Sequence, residues 1–162
     1  MQDRYKNAFG AIEEEVAEYL DLYDNDINIY SNEYLDIQEA ADQGDVNSMV
    51  KFGLMLRKGE GIDVNHKESS RYFKMASDLG NAEAMYNYGN MCFLGEGVAK
   101  NKKEAARYLK QSADMGETIA MYDYGMMLYT GDGIQMNKKE SFRYIKMSAD
   151  RGQINSMYNY AY

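Results

Sequence analysis

The chain repeats itself every 36 residues, and this periodicity restricts its fold more than any other feature of the 162-residue sequence. Residues 81–116 and 117–152 are identical at 19 of 36 aligned positions. One column of glycines has the same spacing: Gly44, Gly80, Gly116 and Gly152. A unit of 36 residues is too short to bury a core of its own, so it must be stabilised by its neighbours. The sequence therefore predicts a tandem array of stacked units.

Composition and periodicity both favour helices within each unit. Proline is absent, and β-branched runs are few. Each unit contains two apolar stripes at helical spacing. In the second unit the first stripe is Met85, Tyr88, Gly89 and Cys92, and the second stripe is Ala105, Tyr108, Leu109, Ser112 and Ala113. We therefore predict an all-α fold, an α/α superhelix of antiparallel helix pairs with a 36-residue repeat.

Capping signals mark where the second helix of each pair begins. An asparagine stands three residues before a glutamate, which is the spacing of a capping box, at Asn65/Glu68, Asn101/Glu104 and Asn137/Glu140. Another repeated feature is a glycine inside each first helix, at Gly53, Gly89 and Gly125. A helical glycine costs about 1 kcal/mol relative to alanine. Its recurrence on the apolar side predicts a neighbouring helix too close for a β-carbon.

Charge divides the sequence into an acidic head and a mildly basic body. Residues 1–45 hold 13 acidic and 2 basic residues, whereas residues 46–162 hold 13 acidic and 16 basic residues. We predict an acidic amphipathic helix at 1–28, acting as a cap or as a second partner contact. The repeat array then covers 29–162, as a half repeat at 29–44, full repeats at 45–80, 81–116 and 117–152, and a partial repeat at 153–162. Because the sequence stops inside a first helix, we expect a fragment of a longer array, with self-association through the incomplete repeat as the alternative.

No set of residues favours catalysis. His66 has no second histidine to join it and is predicted as an exposed loop residue, and Cys92 is predicted as a buried apolar thiol. The pair Gly95/Gly97 lacks the third glycine and the preceding strand of a phosphate-binding loop, so we interpret these residues as loop glycines. We therefore expect a protein that is not an enzyme, with no catalytic residue, no cofactor and no metal.

Several classes of partner and location are also disfavoured. Basic residues form no concentrated stripe of the kind that binds a phosphate backbone, so we expect no nucleic acid. No apolar run approaches the roughly 20 residues that span a membrane, and we expect no membrane partner. A single cysteine favours a reducing compartment, and the predicted location is cytoplasmic.

At residues 45–162 the repeat resembles a known family. The pattern Ala-x-Ala-Met-Tyr-x-Tyr-Gly, then Gly-Glu-Gly-Val, then Asn-x-x-x-Ala-x-x-Tyr, then Ala-Asp-x-Gly is similar to the Sel1-like repeat, a relative of the tetratricopeptide repeat. The sequence departs from the family at Tyr72, Tyr108 and Tyr144, where tryptophan is frequent. The resemblance implies a right-handed superhelix of helix pairs and a role as an adaptor or scaffold for protein complexes, without chemistry.

In tetratricopeptide-like folds the first helix of each pair lines the concave side. We therefore predict that a protein or peptide segment binds there, where asparagines can meet a peptide backbone and Tyr and Met give adaptable contacts. The predicted contact residues are Lys51, Leu54, Tyr86, Asn87, Asn90, Tyr122, Asp123, Met126, Tyr158 and Asn159. An alternative function is a regulatory repeat region of a larger multidomain enzyme or signalling protein. A purely structural, self-assembling role is a third interpretation.

Overall fold

The computed structural model describes residues 34–153, and the structural statements below concern those residues. The chain divides into two compact units, residues 1–36 and 37–162. Of the first unit only residues 34–36 are described. The predicted acidic helix at 1–28, the start of the half repeat and nearly all of the partial repeat, with Tyr158 and Asn159, lie outside the described residues.

Helices follow one another at regular intervals, and residues 34–153 contain no strand. Helix α1 covers residues 34–42. Six helices of 13 residues follow: α2 at Val46–Lys58, α3 at His66–Asp78, α4 at Ala82–Leu94, α5 at Lys102–Asp114, α6 at Thr118–Thr130 and α7 at Lys138–Asp150. The predicted all-α class and the two helices per unit are confirmed.

Each helix packs against the next one along the chain, from α2 to α7, so the apolar interior continues from repeat to repeat. The predicted stripe of α5 is buried throughout. In α4, Gly89 and Cys92 are buried as predicted, whereas Met85 and Tyr88 are only half-buried. The rings of Tyr88 and Tyr108 pack in a T-shaped arrangement, with 4.8 Å between their centroids. Ala84, Asn87 and Met91, spaced i, i+3 and i+7, are buried as well, so α4 buries a second stripe that the prediction left out.

The predicted capping asparagines hold the second helices of the pairs. The side chains of Asn65, Asn101 and Asn137 accept hydrogen bonds from the backbone amides of Glu68, Glu104 and Glu140, at 3.0–3.1 Å. Each bond satisfies a donor that the first helical turn would otherwise leave unpaired. In the first helices, Asp45 and Asn81 cap α2 and α4 in the same way, whereas Glu117 makes no side-chain cap bond to α6.

The helical glycines lie where the paired helix crosses. A β-carbon added at Gly53 would stand 2.9 Å from Phe73, one at Gly89 3.1 Å from Leu109, and one at Gly125 2.8 Å from Ile145. These separations are shorter than ordinary van der Waals contact. The predicted close approach of a neighbouring helix is therefore confirmed in all three described repeats.

Replacing Gly89 by leucine is expected to lower the free energy of unfolding by roughly 1–3 kcal/mol, because the larger side chain overpacks the seam against Leu109. Urea denaturation followed by circular dichroism measures the loss. Glu83→Leu is the matched control, since Glu83 is exposed on the same helix and surface changes usually stay within about 0.5 kcal/mol. If Gly89→Leu, Glu83→Leu and the wild type unfold at the same urea concentration, the close approach of the paired helix does not explain the glycine.

A second set of glycines joins consecutive repeats. Gly97 has φ 68°, and a β-carbon there would stand 2.0 Å from the carbonyl oxygen of His66, at the start of α3 in the preceding repeat. Gly133 has φ 79° and stands in the same relation to Lys102, with 2.6 Å to its carbonyl oxygen. The sequence predicted only that these are loop glycines. The structure adds a backbone contact between repeats that admits no side chain.

Hydrogen bonds also cross between repeats. The Tyr72 hydroxyl donates to Asp42 at 2.7 Å, and the Tyr144 hydroxyl donates to Asp114 at 2.6 Å. In each bond the two residues are 30 positions apart in the sequence. Such bonds satisfy the polar ends of deeply buried tyrosines, and they fix the angle between one helix pair and the next.

Candidate partner-binding groove

A cavity of about 420 Å³ lies between the first helices of two consecutive repeats. Helices α4 and α6 form its sides, and Leu109 of α5 contributes to its lining. We call it the α4–α6 groove. Its lining residues are Asn90, Phe93, Leu94, Leu109, Asp123, Met126, Met127, Thr130 and Asp132. The surface inside is mainly apolar, with a few polar groups among the aliphatic and aromatic side chains.

Three of the predicted contact residues line this groove, and helical spacing brings them together. Asn90 lies in α4, while Asp123 and Met126 lie one turn apart in α6. All three are half-buried. These three residues of the predicted face therefore line one cavity, between the second and third repeats.

Asp123 is the polar group in the groove that burial affects most. Burial raises the pKa of its carboxyl group to about 6, and a hydrogen bond from the Tyr86 hydroxyl opposes part of that rise. Burial likewise raises the pKa of Tyr86, and the neighbouring Asp123 charge adds to the increase. Within residues 34–153, no lysine or arginine forms an ion pair with Asp123. The groove thus contains a carboxylate that is largely removed from water and lacks a positive partner there.

The preceding repeat arranges the equivalent positions differently. Asn87 stands 36 residues before Asp123 and is buried, with 6% of its surface exposed. Its amide donates to the Glu83 carbonyl at 3.0 Å, and its oxygen accepts from Nη1 of Arg57 at 3.4 Å. Arg57 also pairs with Glu96 at 2.9 Å. Asn87, predicted to meet a peptide backbone, is therefore covered by an arginine of the chain itself.

Asp132 borders the groove at the loop after α6. Its carboxylate pairs with Nζ of Lys102, 2.7 Å away. The same ammonium group lies 5.2 Å from the centre of the Phe93 ring, within range of a cation–π interaction. Lys102 thus neutralises Asp132 and steadies the aromatic wall of the groove, while Asp123 stays outside this ion pair.

The other predicted contact residues lie elsewhere. Lys51 is exposed and Leu54 half-buried on α2, away from the groove. Tyr86 and Tyr122 are half-buried, and Tyr86 takes part through its bond to Asp123. Neither tyrosine belongs to the lining set.

Sequence reasoning missed six lining residues: Phe93, Leu94, Leu109, Met127, Thr130 and Asp132. For two of them the repeat columns contain a signal. Arg57 and Glu96 have Phe93 and Asp132 as their counterparts 36 residues later. From one repeat to the next, the basic Arg57 is replaced by Phe93, whereas the acidic Glu96 is replaced by another acid, Asp132. Comparing the charges of equivalent residues between repeats could therefore have identified the groove.

Elsewhere in the described part of the chain, side chains that could react or bind a metal are buried or isolated. Cys92 is a free, buried cysteine, as predicted, and burial raises the pKa of its thiol. His66 is half-buried at the first position of α3, not exposed in a loop, and Gly97 of the next repeat lies against its backbone carbonyl. Residues 34–153 bring together no group of three His, Cys, Asp or Glu side chains that could hold a metal ion. Among the described helices none is long and apolar enough to cross a membrane.

Comparison with known proteins identifies the repeat. The Sel1 repeat family model matches residues 46–81, 82–117 and 118–153. No curated protein sequence matches the chain.

Three solved structures share the fold. The protective antigen c5321 of uropathogenic Escherichia coli, described as an SLR fold, aligns with a TM-score of 0.76 and 24% identity over 79% of this chain. A Sel1 repeat protein from Oxalobacter formigenes gives 0.71 and 24% over 78% of this chain and 96% of its own. Cysteine rich protein B of Helicobacter pylori gives 0.63 and 20%, over 76% and 94%. The chain spans about 27% of the length of the antigen. These alignments confirm the superhelix of helix pairs.

Proposed function

Because the chain belongs to the Sel1 repeat family, we propose that it is a scaffold that binds a segment of a protein partner in the α4–α6 groove. Proteins of this family are generally protein-interaction scaffolds and typically have no enzymatic activity. The observation that carries the proposal is the cavity between α4 and α6, which combines apolar walls with a half-buried carboxylate.

The lining suits a peptide segment better than a flat protein surface. A volume of about 420 Å³ accommodates one or two side chains and falls in the size range of binding pockets. Met126 and Phe93 offer adaptable apolar contact, and Asn90 can exchange hydrogen bonds with a peptide backbone. The partner therefore inserts a side chain between the helices while its backbone follows the surface of α4 and α6.

A random peptide library displayed against the full chain tests this function. We expect the selected peptides to lose about tenfold or more in affinity for Met126→Arg, because the long side chain fills the groove. Met115→Arg is the matched control, since Met115 is exposed after α5 and outside the groove. Calorimetry measures affinity, and circular dichroism verifies that both variants are folded. Peptides that bind both variants equally well would place the binding surface elsewhere.

A further inference from the structure

We infer that the α4–α6 groove recognises an arginine side chain of the partner, whose guanidinium group sits beside Asp123. This inference rests on the proposed function and names the chemistry that the groove selects. Its evidence comes from a comparison of two consecutive repeats within the same chain.

The preceding repeat contains the arrangement that the groove lacks. There Arg57 bridges two acceptors, with Nη1 at 3.4 Å from the Asn87 oxygen and Nη2 at 2.9 Å from the Glu96 carboxylate. Thirty-six residues later the two acceptors become Asp123 and Asp132. Both positions thus retain an oxygen acceptor, and one of them gains a negative charge.

The donor is replaced by an aromatic ring. Phe93 occupies the column of Arg57 and lines the groove, so a guanidinium that belongs to the chain in one repeat is absent in the next. The position that corresponds to Arg57 therefore lies on the wall of the cavity. A guanidinium supplied by the partner would restore the bridge that Arg57 makes one repeat earlier.

The charges around the cavity favour a cation. Its lining contains two carboxylates, Asp123 and Asp132, and no basic residue. Lys102 neutralises Asp132 from outside the lining, and within residues 34–153 no basic residue forms an ion pair with Asp123. Among residues 34–153, Asp123 is bonded by Tyr86 on α4, and the charge of Arg57 on α2 acts on Tyr86. Asp132, paired with Lys102, lines the same groove. With a pKa of about 6, Asp123 is mostly ionised at pH 7.

The walls suit the stem and the plane of an arginine. Leu94, Met126 and Phe93 line the groove and give apolar contact for the methylene groups. A guanidinium is less strongly hydrated than an ammonium and presents several donors in one plane, so it can donate to Asp123 while its stem packs on these walls.

Two amidated pentapeptides test the inference, Ac-Ala-Leu-Arg-Leu-Ala-NH₂ and its copy with citrulline in place of arginine. Citrulline retains the shape of the side chain and removes its charge. Carbon-13 methyl spectra of methionine in the full chain report binding, since Met126 and Met127 line the groove and Met115 does not. We expect the arginine peptide to shift the Met126 and Met127 signals and to bind about tenfold more tightly than the citrulline peptide.

Three variants locate the charge that is responsible. Asp123→Asn is expected to abolish the preference for arginine over citrulline, whereas Asp63→Asn, an exposed loop acid outside the groove, is expected to retain it. Phe93→Arg is expected to supply the missing cation internally and to block the arginine peptide.

The outcomes separate this inference from the proposed function. Equal affinity for the two peptides, or a preference that survives in Asp123→Asn, would overturn the arginine inference. If neither pentapeptide shifts the Met126 signal, the inference is also overturned. The library-selected peptides then decide the scaffold function separately, by binding or failing to bind the groove.

Discussion

Replacing Gly97 by alanine is expected to lower the free energy of unfolding by about 2–5 kcal/mol. The left-handed conformation, φ 68°, costs an alanine about 1–2 kcal/mol. Its β-carbon would also stand 2.0 Å from the His66 carbonyl oxygen. Because this neighbour is backbone, the two repeats must separate, and overpacking of this kind typically adds about 1–3 kcal/mol. The expected loss is a large share of the stability of an ordinary domain.

The control for this prediction is Gly80→Ala. Gly80 also has a positive φ, 86°, but no described atom lies within 4 Å of the position of its β-carbon. We expect only the conformational cost there, about 1–2 kcal/mol. Urea denaturation of both variants, followed by circular dichroism, measures the difference. If Gly97→Ala and Gly80→Ala unfold at the same urea concentration, the inter-repeat contact does not contribute to stability.

Replacing Asp123 by asparagine is expected to stabilise the protein at pH 7 by up to about 3 kcal/mol. The pKa of Asp123 rises from 3.8 to about 6 on folding. Between these values the folded state binds more protons than the unfolded state, so wild-type stability falls as the pH increases. A shift of one unit corresponds to about 1.4 kcal/mol. Asparagine has no charge to bury, so the variant avoids this loss.

The pH dependence provides the measurement. We expect the two proteins to differ little near pH 4, where wild-type Asp123 is protonated in the folded state, and to diverge up to about pH 7. Asp132→Asn is the control because it changes an acid of the same groove that already has Lys102 as a partner. That variant is expected to gain nothing and to lose at most about 1 kcal/mol. A constant difference between Asp123→Asn and wild type across this range would refute the assignment of the raised pKa.

The effect expected for Asp123→Asn connects the stability of the protein to its proposed function. A half-buried acid that lowers the free energy of unfolding does not help the fold. It can instead bind a cation that a partner supplies. Binding would then compensate a charge that has no ion-pair partner among residues 34–153, and part of the affinity would come from relieving that cost. In enzymes and binding proteins, residues of the functional site often lower the free energy of unfolding in this way.

Much of the fold could be predicted because residues with the same structural role recur in several repeats. The asparagine caps recur at every second helix, and a helical glycine recurs at the same phase, so each could be interpreted as a structural need. Gly97 and Gly133 recur equally clearly. Their recurrence could not indicate which atoms approach them, because the contact is with the backbone of the preceding repeat, and a backbone atom leaves no pattern in the sequence.

The groove was harder to predict than the helices. Asn87 and Asp123 occupy one column and were predicted to share one role, yet Arg57 covers Asn87 while Phe93 leaves Asp123 uncovered. Helical spacing specifies the face of a helix on which a residue lies. It does not specify whether a side chain from the previous repeat covers that residue. Asn87 is covered by Arg57 and is a buried amide, whereas Asp123 lines the candidate binding groove.

Several hydrogen bonds between repeats join residues 30 positions apart, as in the bond from Tyr144 to Asp114. From α2 to α7, each helix packs against the helices next to it in the chain. Assembly can begin in any helix pair and spread to both sides, and short separations of this kind favour rapid folding. Insertion of another 36-residue unit would lengthen the array without disturbing those already in place.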